Sequence, residues 1–196
     1  MKITKLAYQK KDPNRVNVYV DESFFAGLEI NDIAKLGLYK GQEISQEELN
    51  KIIGESEFGK LFNSALNFLS FRPRSEWEVR HKLKFKTKDL KLIETVIDKL
   101  KKIGQVNDED FAKWFIDQRR TFRPKGKRAI EIELHRLGVQ TKVEESVSEQ
   151  ELAKRALTKF RGERSRERLA RFLASRGFDW ETIKEVVDKT LKMEYT

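Results

Sequence analysis

The first part of the chain alternates apolar and polar positions as a half-buried strand does. Val16, Val18 and Val20 are separated by single polar or aromatic residues, and this two-residue period predicts a strand with the three valines on one face. A mixed segment over residues 3–8 is a candidate neighbouring strand. The turn-forming residues 12–14, Asp-Pro-Asn, predict the connection between the two.

Two further elements complete this N-terminal module. The apolar positions between Phe24 and Ile30 predict a third short strand. Asn31 is a suitable N-cap for a helix of one or two turns, and Gly37 is a suitable place for that helix to end. We therefore interpret residues 1–45 as a small strand-rich module.

The period changes to that of a helix at Ser45. Ser45-x-x-Glu48 has the form of a capping box, in which the serine and the glutamate satisfy each other's free backbone N–H groups. Apolar residues then recur at i, i+3 and i+4 over residues 46–71, which predicts an amphipathic helix. We expect an interruption near Gly54, since glycine weakens a helix interior.

One pattern then occurs three times, over residues 65–104, 111–147 and 152–191. Each copy has an apolar helix that ends in basic residues, a short break, a second basic helix and a third helix. The period of about 45 residues is typical of helical-repeat proteins. The sequence signals for helix starts are Ser75-x-x-Glu78, Asn107, Thr141-x-x-Glu144, Ser148-x-x-Glu151 and Asp179, and those for helix ends are Gly104, Gly138 and Gly177.

These signals predict a mainly α fold. We expect nine helices, or nearly so, over residues 62–192, arranged as three tandem three-helix repeats in an elongated, curved array with short linkers such as residues 145–150. The predicted division is a strand-rich module over 1–45, a connecting helix over 46–61, and repeats over 62–104, 105–147 and 148–196.

Composition narrows the classes of function. There is no cysteine, which excludes disulfides, thiolate metal sites and cysteine nucleophiles and is typical of a cytoplasmic protein. The start of the chain does not resemble a signal peptide, and no apolar run has the length of about 20 residues that a membrane span needs. The formal net charge is +9, which favours an anionic partner such as nucleic acid.

The basic residues are concentrated in the second and third repeats. Seven lie between Arg119 and Arg136, and nine lie between Lys154 and Arg176. Arginine guanidinium groups bind phosphates and carboxylates alike, so these clusters suit a nucleic-acid backbone or an acidic protein. Arg164, Arg168 and Arg171 have the i, i+4, i+7 spacing that predicts one helical face. The alternative is a solvated face without a partner.

Candidate catalytic chemistry is sparse. His81 and His135 lack a second ligand at metal-binding spacing, so we interpret both as surface or half-buried residues. Residues 108–110, Asp-Glu-Asp, could hold a divalent metal as in a nuclease, but acids in a first helical turn also complement the helix dipole. We favour the second interpretation and expect no enzyme activity and no cofactor.

The aromatic residues leave two interpretations open. Trp77, Trp114, Phe111 and Trp180 could stack on nucleobases or pack in cores. Core packing is favoured, since Phe111, Trp114 and Phe115 fall on one helical stripe.

The chain resembles the regulatory protein RecX family. The first repeat carries its motif at Ala65-Leu66, Leu69, Arg72, Arg74-Ser75, Glu78-Val79 and Leu83. The second carries it at Asp108, Phe111-Ala112, Phe115, Gly126, Ile130, Glu133-Leu134 and Gly138-Val139. The chain departs from the pattern at Ala129, where an arginine is expected, and at Lys127, where proline is common.

The resemblance implies a monomeric, non-enzymatic regulator that binds the RecA recombinase filament. Such proteins lie in the groove of the filament, hinder its extension and restrain its ATPase, strand exchange and co-protease activities, and thereby regulate recombination, DNA repair and the SOS response. Single- or double-stranded DNA is an expected second partner. The candidate contact residues are Arg72, Arg74, Arg119, Arg120, Lys125, Lys127, Arg128, Arg161, Arg164, Arg168 and Arg171.

The sequence leaves two alternatives open. The repeats could form a general DNA-binding protein with helix-turn-helix-like units and no role at RecA, whose binding would fall steeply with salt. Asp108 and Asp110 could instead serve a magnesium-dependent nuclease.

Overall fold

The computed structural model describes residues 1–10, 12–144 and 147–194. Within these ranges the chain is mainly helical with one small antiparallel sheet, as predicted. The elements in chain order are β1 (Ile3–Gln9), β2 (Asp12–Val20), β3 (Ser23–Glu29), α1 (Ile30–Leu36), α2 (Gln46–Leu69), α3 (Glu76–Lys84), α4 (Leu90–Lys102), α5 (Asp108–Phe122), α6 (Lys127–Arg136), α7 (Glu149–Leu157), α8 (Arg166–Ser175) and α9 (Trp180–Glu194).

The chain divides into two compact units. The first contains Met1–Asn67 together with Leu83–Val96, and the second contains Phe68–Lys82 together with the described chain from Ile97 onward. The sheet and its core belong to the first unit. Two helical cores, one around α5 and α6 and one around α7, α8 and α9, belong to the second unit.

The three predicted strands form one sheet in the order β1-β2-β3. The alternating valines of β2 are buried, and Val18 and Val20 pack with Leu28 of β3 and with Leu49 and Ile52 of α2. This arrangement follows from the two-residue period, because the buried valines lie on the face of β2 that faces α2. The prediction of a turn at residues 12–14 is wrong, since Asp12 is already paired with Gln9 and β2 begins there.

Two details of the helical prediction in the first unit are also wrong. The N-cap of α1 is Glu29 and Asn31 lies inside the helix, although α1 does end at Gly37 in the left-handed conformation. The α2 helix is continuous through Gly54, because packing of its apolar face in the core outweighs the weak helix propensity of one glycine. The capping box at Ser45 and Glu48 is confirmed by reciprocal hydrogen bonds of 2.8 Å and 3.2 Å.

Most predicted helix starts and ends in the second unit are confirmed. Side-chain oxygens of Asn107, Ser148 and Asp179 accept hydrogen bonds from the first free N–H groups of α5, α7 and α9. Gly138 and Gly177 have positive φ angles of 80° and 76° at the points where α6 and α8 end, as expected for glycine after a helix.

The third helix of the second repeat is the main error in the predicted fold. Residues 139–144 are not helical, so residues 62–192 contain eight helices within the described ranges rather than nine. Val139 and Val143 are nevertheless buried against α5 and α6, and the backbone N–H of Val143 donates a 3.1 Å hydrogen bond to Glu131. The predicted linker over 145–150 lies in part outside the described residues, which exclude 145 and 146.

None of the helices within the described ranges combines the length and the apolar character that a membrane span requires.

Candidate functional site

Two of the predicted contact arginines form ion pairs with one largely buried carboxylate. The guanidinium groups of Arg72 and Arg74 lie 2.7 Å and 3.1 Å from the same Glu78 carboxylate oxygen. Arg74 also stacks on Phe68 with its guanidinium carbon 4.0 Å from the ring centroid, and Arg72 lies over Trp114 at 5.7 Å. Glu78 itself caps α3 through Ser75, so this network anchors the start of a helix.

A second network binds Arg119 and Lys125 to Glu133 of α6. Arg119 Nε donates a 2.5 Å hydrogen bond to one carboxylate oxygen, and Lys125 Nζ contacts the other. Burial raises the pKa of the Glu133 carboxyl, but hydrogen bonds and charge from Lys125 and Arg119 outweigh burial, so the pKa lies below its ordinary value. Glu133 is therefore ionised at neutral pH and neutralises part of the basic cluster.

Arg120 and Lys127 are also engaged. Arg120 donates to the backbone carbonyl of Glu144. The backbone N–H of Lys127 donates a 2.7 Å hydrogen bond to Glu149, and the residue is only partly exposed. Six of the eleven predicted contact residues thus form bonds that stabilise the helix connections of the second unit.

The other five predicted contact residues are exposed, namely Arg128, Arg161, Arg164, Arg168 and Arg171. Arg168 forms a 2.9 Å ion pair with Glu163 at the surface. The prediction that Arg164 shares a helical face with Arg168 and Arg171 is wrong, because Ser165 is the N-cap of α8 and Arg164 lies before it. Arg168 and Arg171 are both on α8. An anionic partner can reach exposed guanidinium groups from solvent.

The acidic cluster at residues 108–110 lies in the first turn of α5, as the helix-start interpretation predicted. Asp108 Oδ1 accepts a 2.8 Å hydrogen bond from the backbone N–H of Glu76. Asp110 lies 3.9 Å from Lys113 at the surface. Within the part of the chain that the structure describes, no three His, Asp or Glu side chains are placed to hold a metal ion together.

The candidate aromatics and histidines separate into two groups. Phe111 is buried, with its ring centroid 5.9 Å from Trp114 and 5.8 Å from Phe115, so core packing is confirmed there. Trp77 and Trp180 are exposed over 45% and 69% of their surface, which the core interpretation did not anticipate. Trp77 stacks on His81, which is exposed, as is His135.

The structure also brings together cations that were not among the predicted contact residues. Arg123, Lys159 and Arg176 line one groove with Lys125 and the exposed Phe122. The sequence contained the signal, since all three lie in the two basic clusters. They converge because Lys159 and Arg176 contact the backbone carbonyls of Phe122 and Pro124 at the end of α5, and no local pattern reveals these contacts.

The fold places the chain in the class of tandem helical-repeat proteins, and comparison with known proteins identifies the family. Models of the RecX N-terminal domain, the first RecX three-helix domain and the third RecX three-helix domain match residues 1–45, 62–100 and 148–187. The chain belongs to the RecX family of regulatory proteins.

Similar proteins cover nearly the whole chain. Regulatory protein RecX of Clostridioides difficile (strain 630) is 32% identical over 98% of this chain and 97% of its own length. That of Clostridium perfringens (strain SM101 / Type A) is 32% identical over 99% and 98%. A crystal structure of regulatory protein RecX has a TM-score of 0.66 at 23% identity and covers 95% of this chain and 98% of its own. RecX from Lactobacillus salivarius has a TM-score of 0.51 at 18% identity over 68% and 96%. These two structures support the fold.

Proposed function

We propose that this protein binds the RecA recombinase filament and inhibits its extension and its activities, and so regulates recombination, DNA repair and the SOS response. The observation that carries the proposal is the full-length similarity to proteins named regulatory protein RecX, at 32% identity over 98% of the chain. The similarity extends through the N-terminal sheet and the helical repeats alike. The proposed activity therefore belongs to the full chain. We propose that this chain is divided into a strand-rich module over 1–45, a connecting helix over 46–61, and repeats over 62–104, 105–147 and 148–196.

The exposed arginines are the proposed contacts with the filament. Arg161 and Arg171 are exposed and have no ion pair within the described residues, so binding does not require an internal bond to break. In contrast, Arg119 would have to leave Glu133 at 2.5 Å before it could contact a partner. Breaking one partly buried charged hydrogen bond costs about 1.5 to 3 kcal/mol. We therefore assign filament binding to the exposed residues and structural roles to Arg72, Arg74, Arg119 and Lys125.

The proposal is tested by following ATP hydrolysis by RecA on single-stranded DNA while this protein is added at substoichiometric ratios. We expect inhibition well below one molecule per RecA protomer, since a block to extension acts at few sites on each filament. The double variant R161Q/R171Q should require a higher concentration for the same inhibition. K102Q/K113Q removes the same charge from exposed lysines on α4 and α5 and should inhibit as the parent does. Hydrolysis that continues unchanged in the presence of the parent protein contradicts the proposal.

A general DNA-binding protein without a role at RecA is the second candidate, favoured by the net charge of +9 and by the five predicted contact arginines that are exposed. It predicts that inhibition of RecA disappears when DNA is in excess, because the protein then acts only by competing for DNA. Inhibition that survives excess DNA supports a direct contact with RecA. Size-exclusion chromatography with light scattering tests the accompanying proposal that the protein is a monomer.

A further inference from the structure

The ends of α5, α7 and α8 surround an open groove of about 520 Å³ in the second unit. Four cations line it, namely Arg123, Lys125, Lys159 and Arg176. None of the described residues that line this groove is an aspartate or a glutamate. An anion that entered it would therefore meet positive charge on several sides.

Three of these cations have no carboxylate partner within the described residues. Lys159 Nζ donates a 2.6 Å hydrogen bond to the backbone carbonyl of Phe122, and Arg176 donates a 3.5 Å hydrogen bond to the carbonyl of Pro124. The Arg123 side chain is exposed and has no ion pair within the described ranges. Only Lys125 is neutralised, by Glu133. A carbonyl carries a partial charge, so the groove retains a positive potential.

The groove also contains aromatic surface. Phe122 lines it and is 61% exposed, so its ring is accessible from the groove. Phe172, on the other side, packs edge-on against Phe160 and lies 4.4 Å beneath the guanidinium carbon of Arg176. Cations beside an exposed aromatic ring are the two features with which proteins hold single-stranded nucleic acid, because phosphates bind the cations and unpaired bases stack on the ring.

We propose that this groove binds a single strand of nucleic acid. Arg123, Lys159 and Arg176 contact consecutive phosphates, and one base stacks on Phe122. A duplex is disfavoured because its bases are already stacked and cannot reach the ring. An acidic protein segment would use the cations but would leave the exposed ring without a role. The site goes beyond RecA inhibition and does not depend on it.

The test is the fluorescence anisotropy of a dye-labelled oligothymidylate with the purified full chain, measured without RecA over a range of salt concentrations. F122L should weaken binding by about fivefold or more, with little change in the salt dependence, since it removes a stacking surface and no charge. R123Q should reduce the slope of log affinity against log salt by about 0.7, as one lost phosphate contact does for a single strand. Both side chains are exposed, so neither variant is expected to unfold.

Charge-matched variants separate this site from general attraction. R123Q/K159Q and K102Q/K113Q remove two positive charges each, but only the first pair lines the groove. We expect a loss of affinity confined mainly to the first. Equal losses of affinity in both double variants would overturn the proposal. It would also be overturned if R123Q/K159Q bound the oligonucleotide with unchanged affinity but were less stable, because Lys159 would then only cap the end of α5. Competition by polyglutamate combined with no effect of F122L would assign the groove to an acidic protein segment instead.

The RecA assay distinguishes this inference from the proposed function. A groove variant that no longer binds the oligonucleotide but still inhibits RecA would leave RecA inhibition intact. A parent protein that binds the oligonucleotide through the groove but does not inhibit RecA would leave the groove intact and remove the proposed function.

Discussion

The backbone N–H of Lys127 donates a 2.7 Å hydrogen bond to the carboxylate of Glu149. Lys127 is the first residue of α6, and Glu149 is the first residue of α7. The same relationship exists one repeat earlier, where the N–H of Glu76, first in α3, donates a 2.8 Å bond to Asp108, first in α5. The first N–H of a helix has no partner within that helix. An acid from the next repeat therefore satisfies it at both connections.

At both connections a glycine also lies very close to the neighbouring repeat. A Cβ atom on Gly138 would lie 2.5 Å from the Cβ of Trp77, and one on Gly126 would lie 2.1 Å from the carbonyl oxygen of Gly177. Neither neighbour is the flexible end of a side chain, so the backbone would have to move. These two glycines explain why consecutive repeats pack at such short range.

We predict that G126A and G138A lower the free energy of unfolding by about 1 to 3 kcal/mol, the usual range for overpacking. Gly126 has an ordinary φ of −65°, so G126A reports steric overlap alone. G104A is the matched control, because Gly104 has a φ of 71° and open space around its α-carbon. Its free energy of unfolding should fall only by the strain that the left-handed conformation imposes on alanine, about 1 to 2 kcal/mol. G138A combines both effects and should be the least stable of the three.

Urea denaturation followed by far-UV circular dichroism measures this series. If G104A were as destabilised as G138A, the contact with Trp77 would contribute nothing, and the close packing of the two repeats would not be needed for stability.

Glu149 also makes the second connection sensitive to pH. Burial raises the pKa of its carboxyl, and the nearby Asp179 carboxylate adds to the effect. A carboxyl whose pKa is higher in the folded state contributes stability that is fully present below its unfolded pKa and is lost as pH rises through the folded pKa. E149Q should therefore be more stable than the parent at pH 7 by less than about 1 kcal/mol, since solvent screens this partly exposed group. The amide oxygen can still accept the bond from Lys127.

The difference between E149Q and the parent should shrink as the pH falls toward 4, because the parent carboxyl then becomes neutral as well. Denaturation midpoints at pH 7, 5.5 and about 4 measure this. A difference that grows toward acid pH would contradict the direction of the pKa shift. E151Q is a suitable control, since Glu151 is an exposed residue on the same helix, paired with Arg155.

The internal role of Arg119 and Lys125 gives a third prediction. E133Q removes the charge that both cations contact and should lower the free energy of unfolding by about 1 to 3 kcal/mol, as expected for the loss of charged, partly buried hydrogen bonds. R171Q, at an exposed residue, should change it by no more than about 0.5 kcal/mol. Thermal denaturation of the two variants measures the contrast. Similar stabilities would mean that Glu133 does not hold these cations, and both would then be available to a partner.

The sequence predicted the helix boundaries best where the signal was local. The N-caps Asn107, Ser148 and Asp179 lie within three residues of the N–H groups that they accept from, so pattern alone locates them. Thr141 has the same form but begins no helix. In the segment after it, Val143 is buried against α5 and α6, and its backbone N–H donates a hydrogen bond to Glu131 of α6. Such contacts are not visible in a short sequence window.

The candidate site was harder to predict for the same reason. Arg119 and its carboxylate partner are 14 residues apart in the chain, and Lys159 and its carbonyl partner are 37 apart. A count of basic residues cannot separate cations that stabilise a fold from cations that remain available. The sequence therefore indicated two basic clusters, and the contacts of Lys159 and Arg176 with the end of α5 decide which of their members meet in the groove.

The turn between β2 and β3 supports a prediction for the first unit. Asp21 and Glu22 have φ angles of 46° and 68°, and they connect the paired residues Val20 and Ser23. Two left-handed residues in a two-residue loop match the twist of a hairpin, but this conformation favours Asn-Gly or Asp-Gly sequences. Glu22 is therefore strained by about 1 to 2 kcal/mol.

We predict that E22G stabilises the protein by about 0.5 to 1 kcal/mol, because relief of the strain exceeds the extra entropy that glycine has in the unfolded chain. The backbone N–H of residue 22 can still donate its 3.0 Å bond to Thr4. D21G is the matched control, since it relieves the same conformation but removes the carboxylate that accepts a 2.8 Å bond from the N–H of Lys2. Urea midpoints should rise for E22G and rise less, or fall, for D21G. A lower midpoint for E22G would show that the Glu22 side chain stabilises the turn by more than its backbone conformation costs.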